Sequence, residues 1–450
     1  MDFPAFIAAC EADPAINLTH FLCTDAEGVL ARYVDHPYRM DSLKLMFSMT
    51  KSISALAIGI AWDRGLLRLD DRVAELLGEC APSNRSEHLD RMEVRHLLTM
   101  SSGIHENTYA ALYPQPDWVR AFLAQDFAHE PGTFYRYSTH GSHMLSALIT
   151  QASGQSLEEF MNEHLFFPMG IFEAQWETSP EGLTAGGMGL SLRPESLAKV
   201  ARLLLNRGVF QDRRLISESY IDQATSLQIV KQDEWEKQNS LSGTGYGFQF
   251  HVGRAGDYRM DGAFGQVCLI SPRRGLAFVA FSRRTKVERL LEQIERFFPE
   301  GDREISGDVR RRPPQLRAPA ERRAIPQGRF ALEANPLRVR ELMMEPGAVR
   351  MRFDEGAVSE IRFAVGAETR GTAPFIKDLQ VREQSYVCAA EWDGEWLHLC
   401  VHYIETPYVV EYRFCVDEGQ VTFAFSINVS FTLSDFIVRG KECTGEGWAP

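Results

Sequence analysis

The stretch 45-LMFSMTKSISALAIGIAWDRG-65 governs how the rest of the chain is read. It sets Ser48, Thr50 and Lys51 at the mouth of a helix that is otherwise almost wholly apolar and that Gly65 closes. An unpaired ammonium in an apolar site is costly, so Lys51 is either paired or working. Residues three apart share a helix face, and S-x-x-K therefore aims a hydroxyl and an amine into one pocket. The helix mouth is expected to add a partial positive charge and free backbone N–H groups. Both favour an alkoxide at Ser48 and a neutral Lys51 that acts as its base.

Alone, the spacing is weak evidence, because it occurs twice. Ser196 and Lys199 repeat it within 193-RPESLAKVARLLLNRG-208. There Leu197, Val200, Ala201 and Leu204 recur at i, i+3, i+4 and i+7, which predicts an amphipathic helix with Ser196 and Lys199 on its polar face. The apolar surroundings of Ser48 set the first pair apart.

Composition narrows the function classes. The 450 residues carry a formal net charge of -13, which argues against phosphate-backbone binding and against an anionic membrane surface. The first residues, MDFPAFIAACEADPAINLTHF, have no basic n-region and no long apolar h-region, so a cytoplasmic location is expected. The apolar run Ile53 to Trp62 is about half of what a bilayer span requires. Eight scattered cysteines without a C-x-x-C pair are expected to be reduced, forming neither a disulfide frame nor a zinc site. His140 and His143 form an H-x-x-H with no third ligand in view, so no metal is expected.

Residues 1–298 alternate helical and strand patterns, among them a hairpin at 20-HFLCTDAEGVLARYV-34 with Asp25 and Gly28 in its turn. A proline- and arginine-rich stretch over 299–327 reads as an extended linker. Residues 328–450 read as an antiparallel β domain, a barrel or a sandwich. The segment 420-QVTFAFSINVSFTL-433 alternates throughout, with Val421, Phe423, Phe425, Ile427, Val429, Phe431 and Leu433 on one face.

Two more segments bear on chemistry. In 130-EPGTFYRYSTHGSHML-145, Tyr137 lies in a turn after Pro131-Gly132 and just before a helix. In 258-YRMDGAFGQVCLISPRRGLAFVAFSR-283, paired strands flank the step Gly262-Ala263-Phe264-Gly265-Gln266, where backbone can approach a ligand closely.

With Ser48-Met49-Thr50-Lys51, 94-VRHLLTMSSGI-104, PGTFYRYS, 186-GGMGLSLRPESLAKVARLLLNRG-208 and DGAFGQ in this order, residues 15–298 resemble the serine β-lactamase and penicillin-binding-protein-like hydrolases. The likeness is to the class C-like branch, with its esterases, D-aminopeptidases and 6-aminohexanoate-dimer hydrolase. It implies an α/β (α+β) domain with a central antiparallel sheet and a helical subdomain. It makes Ser48 the acylated nucleophile, Lys51 its partner and Tyr137 the second base. The backbone N–H groups of Ser48 and Gln266 become the oxyanion hole, and Thr139, Ala263, Phe264 and Gly265 border the substrate. Thr139 stands where the family has the Asn of Y-x-N, and Ala263 where a Lys or His opens the third motif. An ester asks for neither group, whereas a β-lactam uses both.

The expectation is therefore a cofactor-free serine hydrolase that forms an acyl-enzyme on a small ester or linear amide. The alternatives are a β-lactamase or D-amino-acid peptidase, and a non-catalytic ligand-binding protein.

Overall fold

The computed structural model describes residues 2–231, 245–301, 305–311 and 323–443. They divide into two compact units, Met1–Val34 with Met40–Arg310, and Asp35–Arg39 with Arg311–Pro450.

The first unit is built on a nine-stranded sheet. Its strands run in the order Gly307–Arg310, Val29–Val34, Leu18–Thr24, Leu276–Ser282, Gln266–Ser271, Tyr258–Gly262, His251–Val252, Gly245–Tyr246 and Ile229–Val230. Every neighbouring pair is antiparallel except the first. That exception corrects the reading of 299–327 as linker, since Gly307–Arg310 pairs in parallel with Ala31–Val34 and extends the sheet edge. Residues 302–304 and 312–322 of the same stretch lie outside the described residues.

Both faces of the sheet are covered, so its central strands are buried at every position. Helices Phe3–Ala12 and Val287–Phe297 pack on one face through Phe3, Phe6, Phe21, Phe278 and Phe298. Helices Pro194–Leu205 and Met49–Asp63 pack on the other, and Met49–Asp63 continues into a helical layer that includes Thr139–Ser153. Residues Met49 to Ala61 are all buried, which explains a sequence apolar all round rather than along one stripe. Gly59 is demanded by packing, because a Cβ there would sit 2.4 Å from the Tyr220 ring.

The second unit is a ten-stranded antiparallel sheet that nearly closes into a barrel, with end strands Val358–Arg362 and Glu368–Ile376 close together in the chain. The strand Trp396–Tyr403 alternates strictly between half-buried and buried. The alternation over 420–433 outlasts its strand, which ends at Ile427. The Ser430 hydroxyl accepts from the backbone N–H groups of Thr432 and Leu433, bending the chain away and leaving Phe431 63% exposed.

All eight cysteines are free. Among the described residues no helix is long and apolar enough to cross a membrane.

Candidate active site

Ser48 is the N-cap of helix Met49–Asp63, and its side chain makes no capping hydrogen bond. The hydroxyl is therefore not consumed by the helix it starts. Phe47, just before it, has φ +48°, a left-handed backbone that costs a non-glycine residue about 1 kcal/mol or more. This sharp entry carries one correction. The N–H groups of Met49, Thr50 and Lys51, expected to be free, are taken by the carbonyls of Met46, Phe47 and Ser48 at 3.2, 3.0 and 3.1 Å.

Lys51 is 1% exposed. Its Nζ donates to Ser48 Oγ at 2.9 Å and to the Gly187 carbonyl at 2.7 Å, and it lies 5.1 Å from the centroid of the Tyr137 ring. The question raised by a buried lysine in an apolar helix is thus answered at one atom. The Lys51 nitrogen is held by a backbone carbonyl and by the hydroxyl beside it.

Gly187 belongs to a strap, Thr184–Gly187, whose four carbonyls each accept from a different side chain. Ser146 Oγ donates to Thr184 at 2.6 Å, Trp176 Nε1 to Ala185 at 2.8 Å, Ser54 Oγ to Gly186 at 2.6 Å, and Lys51 to Gly187. The strap lies flush on helix Thr139–Ser153. A Cβ on Gly186 would come 2.8 Å from the Ser142 carbonyl, and one on Gly187 2.5 Å from the Thr139 carbonyl.

Tyr137 is positioned from the other side. The Met100 carbonyl accepts from Arg136 N–H at 2.8 Å, and Met100 Sδ from Ser138 N–H at 3.2 Å. Ser138 in turn caps helix Thr139–Ser153, accepting from Gly141 N–H at 2.9 Å. Tyr137 packs against Met100, Tyr135 and Tyr246, with Thr139 half-buried two residues on.

The step Gly262–Gln266 meets the segment leading into Ser48. A Cβ on Gly262 would lie 2.4 Å from the Met46 carbonyl, and the Phe264 ring stands edge-on to Phe47 at 5.4 Å. Phe264 has φ +64°, and Gly265 φ +88° with Thr285 O 2.5 Å from where a Cβ would be. The Gln266 amide fixes this bend. It donates to the carbonyls of Ala263 and Ser282 at 3.1 and 3.0 Å, and accepts from Ser282 N–H at 3.0 Å.

Thus Ser48 and Lys51 bond directly, Tyr137 flanks Lys51, Thr139 backs the carbonyl that holds Lys51, and Ala263 to Gln266 adjoin the entry to Ser48. Ser196 and Lys199 stay apart from this group, bonded to Glu173 and to the carbonyls of Met169 and Gly170.

Two contributors escape a reading of the sequence. Gln249, 2% exposed with φ +62°, donates to the carbonyls of Leu97 and Leu98 at 2.8 and 3.0 Å and accepts from Ser142 Oγ at 2.8 Å. Its own carbonyl accepts from Ser52 Oγ, so one residue ties helix Met49–Asp63 to helix Thr139–Ser153. The second is the strap itself, whose only advance signal is the Gly186-Gly187 doublet.

Charge is concentrated near the site. His251 accepts from Lys231 Nζ at 2.8 Å and lies 3.9 Å from Asp261, which Arg259 Nε grips through both oxygens at 2.9 Å. Burial holds His251 well below the usual imidazole range; Asp261 opposes this, while Lys231, Arg259 and Lys51 add to it. Among the described residues no group of three His, Cys, Asp or Glu side chains is placed to hold a metal ion.

The chain is 24% identical over 213 residues to monacolin J acid methylbutanoyltransferase of Aspergillus terreus, spanning 41% of this chain and 48% of that one. It is 27% identical over 163 residues to esterase EstB of Burkholderia gladioli, spanning 32% and 41% respectively. The chain thus spans about half the length, or less, of the curated relatives it matches. The structure of the octameric penicillin-binding protein homologue from Pyrococcus abyssi shares the fold at a TM-score of 0.53 and 16% identity, over 97% of this chain and 99% of that one. The β-lactamase family pattern matches residues 21–296, well over half of the sequence, and the chain belongs to the β-lactamase family.

Proposed function

We propose that this protein is a serine hydrolase that works through an acyl-enzyme on a small ester. The observation that carries the reading is Lys51, buried in an apolar helix with its Nζ 2.9 Å from an uncapped serine hydroxyl. Ser48 Oγ attacks the acyl carbon, and its proton passes to the neutral amine of Lys51 or, through it, to Tyr137 as the phenolate. The ester C–O bond breaks as the leaving alkoxide takes that proton back. Water then adds to the acyl carbon, its proton following the same route, and the carboxylate departs from Ser48. The N–H groups of Ser48 and Gln266 serve the oxyanion, with Thr139, Ala263, Phe264 and Gly265 around the substrate. No cofactor enters this scheme, and the partner is a small molecule.

Thr139 and Ala263 support an ester over a β-lactam. A lactam's amide and carboxylate would each lose a partner, at about 1 to 3 kcal/mol apiece. The test has two arms. A fluorophosphonate should add to Ser48, located by peptide mass, and kcat/KM for p-nitrophenyl butyrate should exceed that for a chromogenic cephalosporin. An adduct on the Ser48→Ala protein would overturn the nucleophile, and equal efficiency on the cephalosporin would overturn the substrate class.

A further inference from the structure

The H-x-x-H at 140–143 binds no third ligand, yet its second histidine reaches the strap that holds Lys51. His143 is 1% exposed, on the turn of helix Thr139–Ser153 against which Gly186 packs. Its Nε2 lies 3.0 Å from Glu181 Oε1, and its Nδ1 accepts from Gly186 N–H at 3.3 Å. Two peptide units on, past the Gly186 carbonyl that Ser54 holds, the Gly187 carbonyl accepts from Lys51 Nζ at 2.7 Å. Glu181, His143, the Gly186–Gly187 backbone, Lys51 and Ser48 thus form one continuous line of hydrogen bonds.

We propose that His143, held as the Nε2–H tautomer by Glu181, is a positioning residue for Lys51: its Nδ1 fixes the Ala185–Gly186 peptide and, through Gly186, the path on which the Gly187 carbonyl meets Lys51 Nζ. The other three polar contacts of this strap go to carbonyls, from Ser146, Trp176 and Ser54. Those set where the strap lies. The N–H contact to His143 falls on the peptide whose Ala185 carbonyl Trp176 holds, so the two together fix the tilt of the unit that leads through Gly186 to the Gly187 carbonyl. A ring nitrogen can accept an N–H only when it is unprotonated, so Glu181 contributes by taking the ring's single N–H on the far side. Burial would raise the Glu181 carboxyl, but the hydrogen bond from His143 and those from backbone N–H groups outweigh it and hold the group down, keeping it an acceptor across the working range. The groups that face His143 are Glu181, His140 on its own helix and the Trp118 ring edge-on at 5.4 Å.

This inference rests on the proposed function, and the experiment separates the two. Fluorophosphonate labelling of the wild-type protein at Ser48 reads the function; the ratio of variant to wild type reads His143. His143→Leu should lower kcat for p-nitrophenyl butyrate at least tenfold with KM within twofold. His143→Asn, whose Oδ1 stands near the place of Nδ1, should recover most of that loss. If His143→Leu is lost to unfolding, Glu181→Leu should lower kcat at least threefold and Glu181→Gln should restore it. Absence of wild-type labelling overturns both readings. Normal labelling together with either of two results overturns this one alone: unchanged kcat in the folded Leu variants, or an Asn variant as poor as Leu.

Discussion

The pairs Ser48/Lys51 and Ser196/Lys199 share a spacing and lie on helices of the same unit, yet their surroundings differ in a way that burial does not capture. Ser196 is 5% exposed, so its predicted place on a polar face is wrong, and it is more buried than Ser48. Its hydroxyl donates to Glu173, while Lys199 spends two of its hydrogens on the carbonyls of Met169 and Gly170 at 3.1 and 2.8 Å, where a short helical turn ends. Each member serves a different neighbour and neither bonds to the other. At Ser48 the hydroxyl accepts from the lysine of its own pair, and the lysine's fixed partner is a carbonyl clamped by a glycine doublet. A serine that donates to a carboxylate is a brace. One that accepts from a buried lysine keeps its own proton free to leave.

The comparison breaks if the two serines respond alike. Ser48→Ala should abolish ester turnover, by roughly 10⁴-fold or more, and remove phosphonate labelling while leaving the melting temperature nearly unchanged. Ser196→Ala should keep full activity and lose about 1 kcal/mol of stability through the orphaned Glu173 contact. Matched losses of activity would mean that the Ser48 cluster is not where chemistry occurs. Lys51→Ala should cost about 10³-fold in kcat, within the usual span for a lost proton-transfer group, whereas Lys199→Ala should leave kcat untouched. Steady-state kinetics on purified, folded variants decide this.

How much of this contrast was legible beforehand follows from what a sequence can encode locally. The apolar run after Ser48, the Gly65 stop and the period-two strands of the second unit are local patterns, and the helix, its end and most of the strands appear where those patterns place them. Ser48 and Lys51 were legible for the same reason, being one turn apart. The strand Gly307–Arg310 was hidden because a parallel edge partner some 270 residues away leaves no trace in a proline- and arginine-rich stretch. Gln249 was hidden because its value lies in four long-range partners and in a left-handed φ that glutamine does not advertise. The break after Ile427 was hidden because a serine turn can interrupt an unbroken alternation.

A smaller effect sharpens what the glycine doublet does for the first pair. At Gly187 a methyl group would meet the Thr139 carbonyl at 2.5 Å, so Gly187→Ala must lift the strap from its helix and carry the Lys51 acceptor with it. A shift of about 1 Å in a supporting group can cost about a hundredfold, and that is the loss expected in kcat, with KM little changed. Gly170, which serves Lys199, provides the control. Its φ of +65° makes an alanine there strained, and the nearest atom to a new Cβ is the flexible Lys199 Nζ at 3.6 Å. Gly170→Ala should therefore cost stability and no activity. A fall in kcat at Gly170 as large as that at Gly187 would remove the distinction.

The last contrast is in acid sensitivity, because the Ser48 region buries an imidazole that the Ser196 region lacks. His140 is 1% exposed, packs edge-on to Trp118 at 4.9 Å, and neither ring nitrogen has a hydrogen-bond partner among the described residues. Burial, helped by the charges of His143 and Lys51, pushes it down to about 3 from an ordinary 6.5. The folded state therefore keeps this ring neutral where the unfolded chain already binds a proton. With the folded value depressed, its contribution to stability is whole above about pH 6.5 and is lost as pH falls toward 3, at up to about 1.4 kcal/mol per unit. His140→Phe keeps the ring packing and removes the titration. Urea unfolding should find this variant within about 1 kcal/mol of wild type near pH 7.5. It should gain roughly 2 kcal/mol relative to wild type by about pH 5. Lys199→Ala, remote from any buried imidazole, should hold a constant offset over the same interval. Parallel curves for His140→Phe and wild type would mean that His140 is protonated in the fold, and that acid reaches this core without the penalty its burial implies.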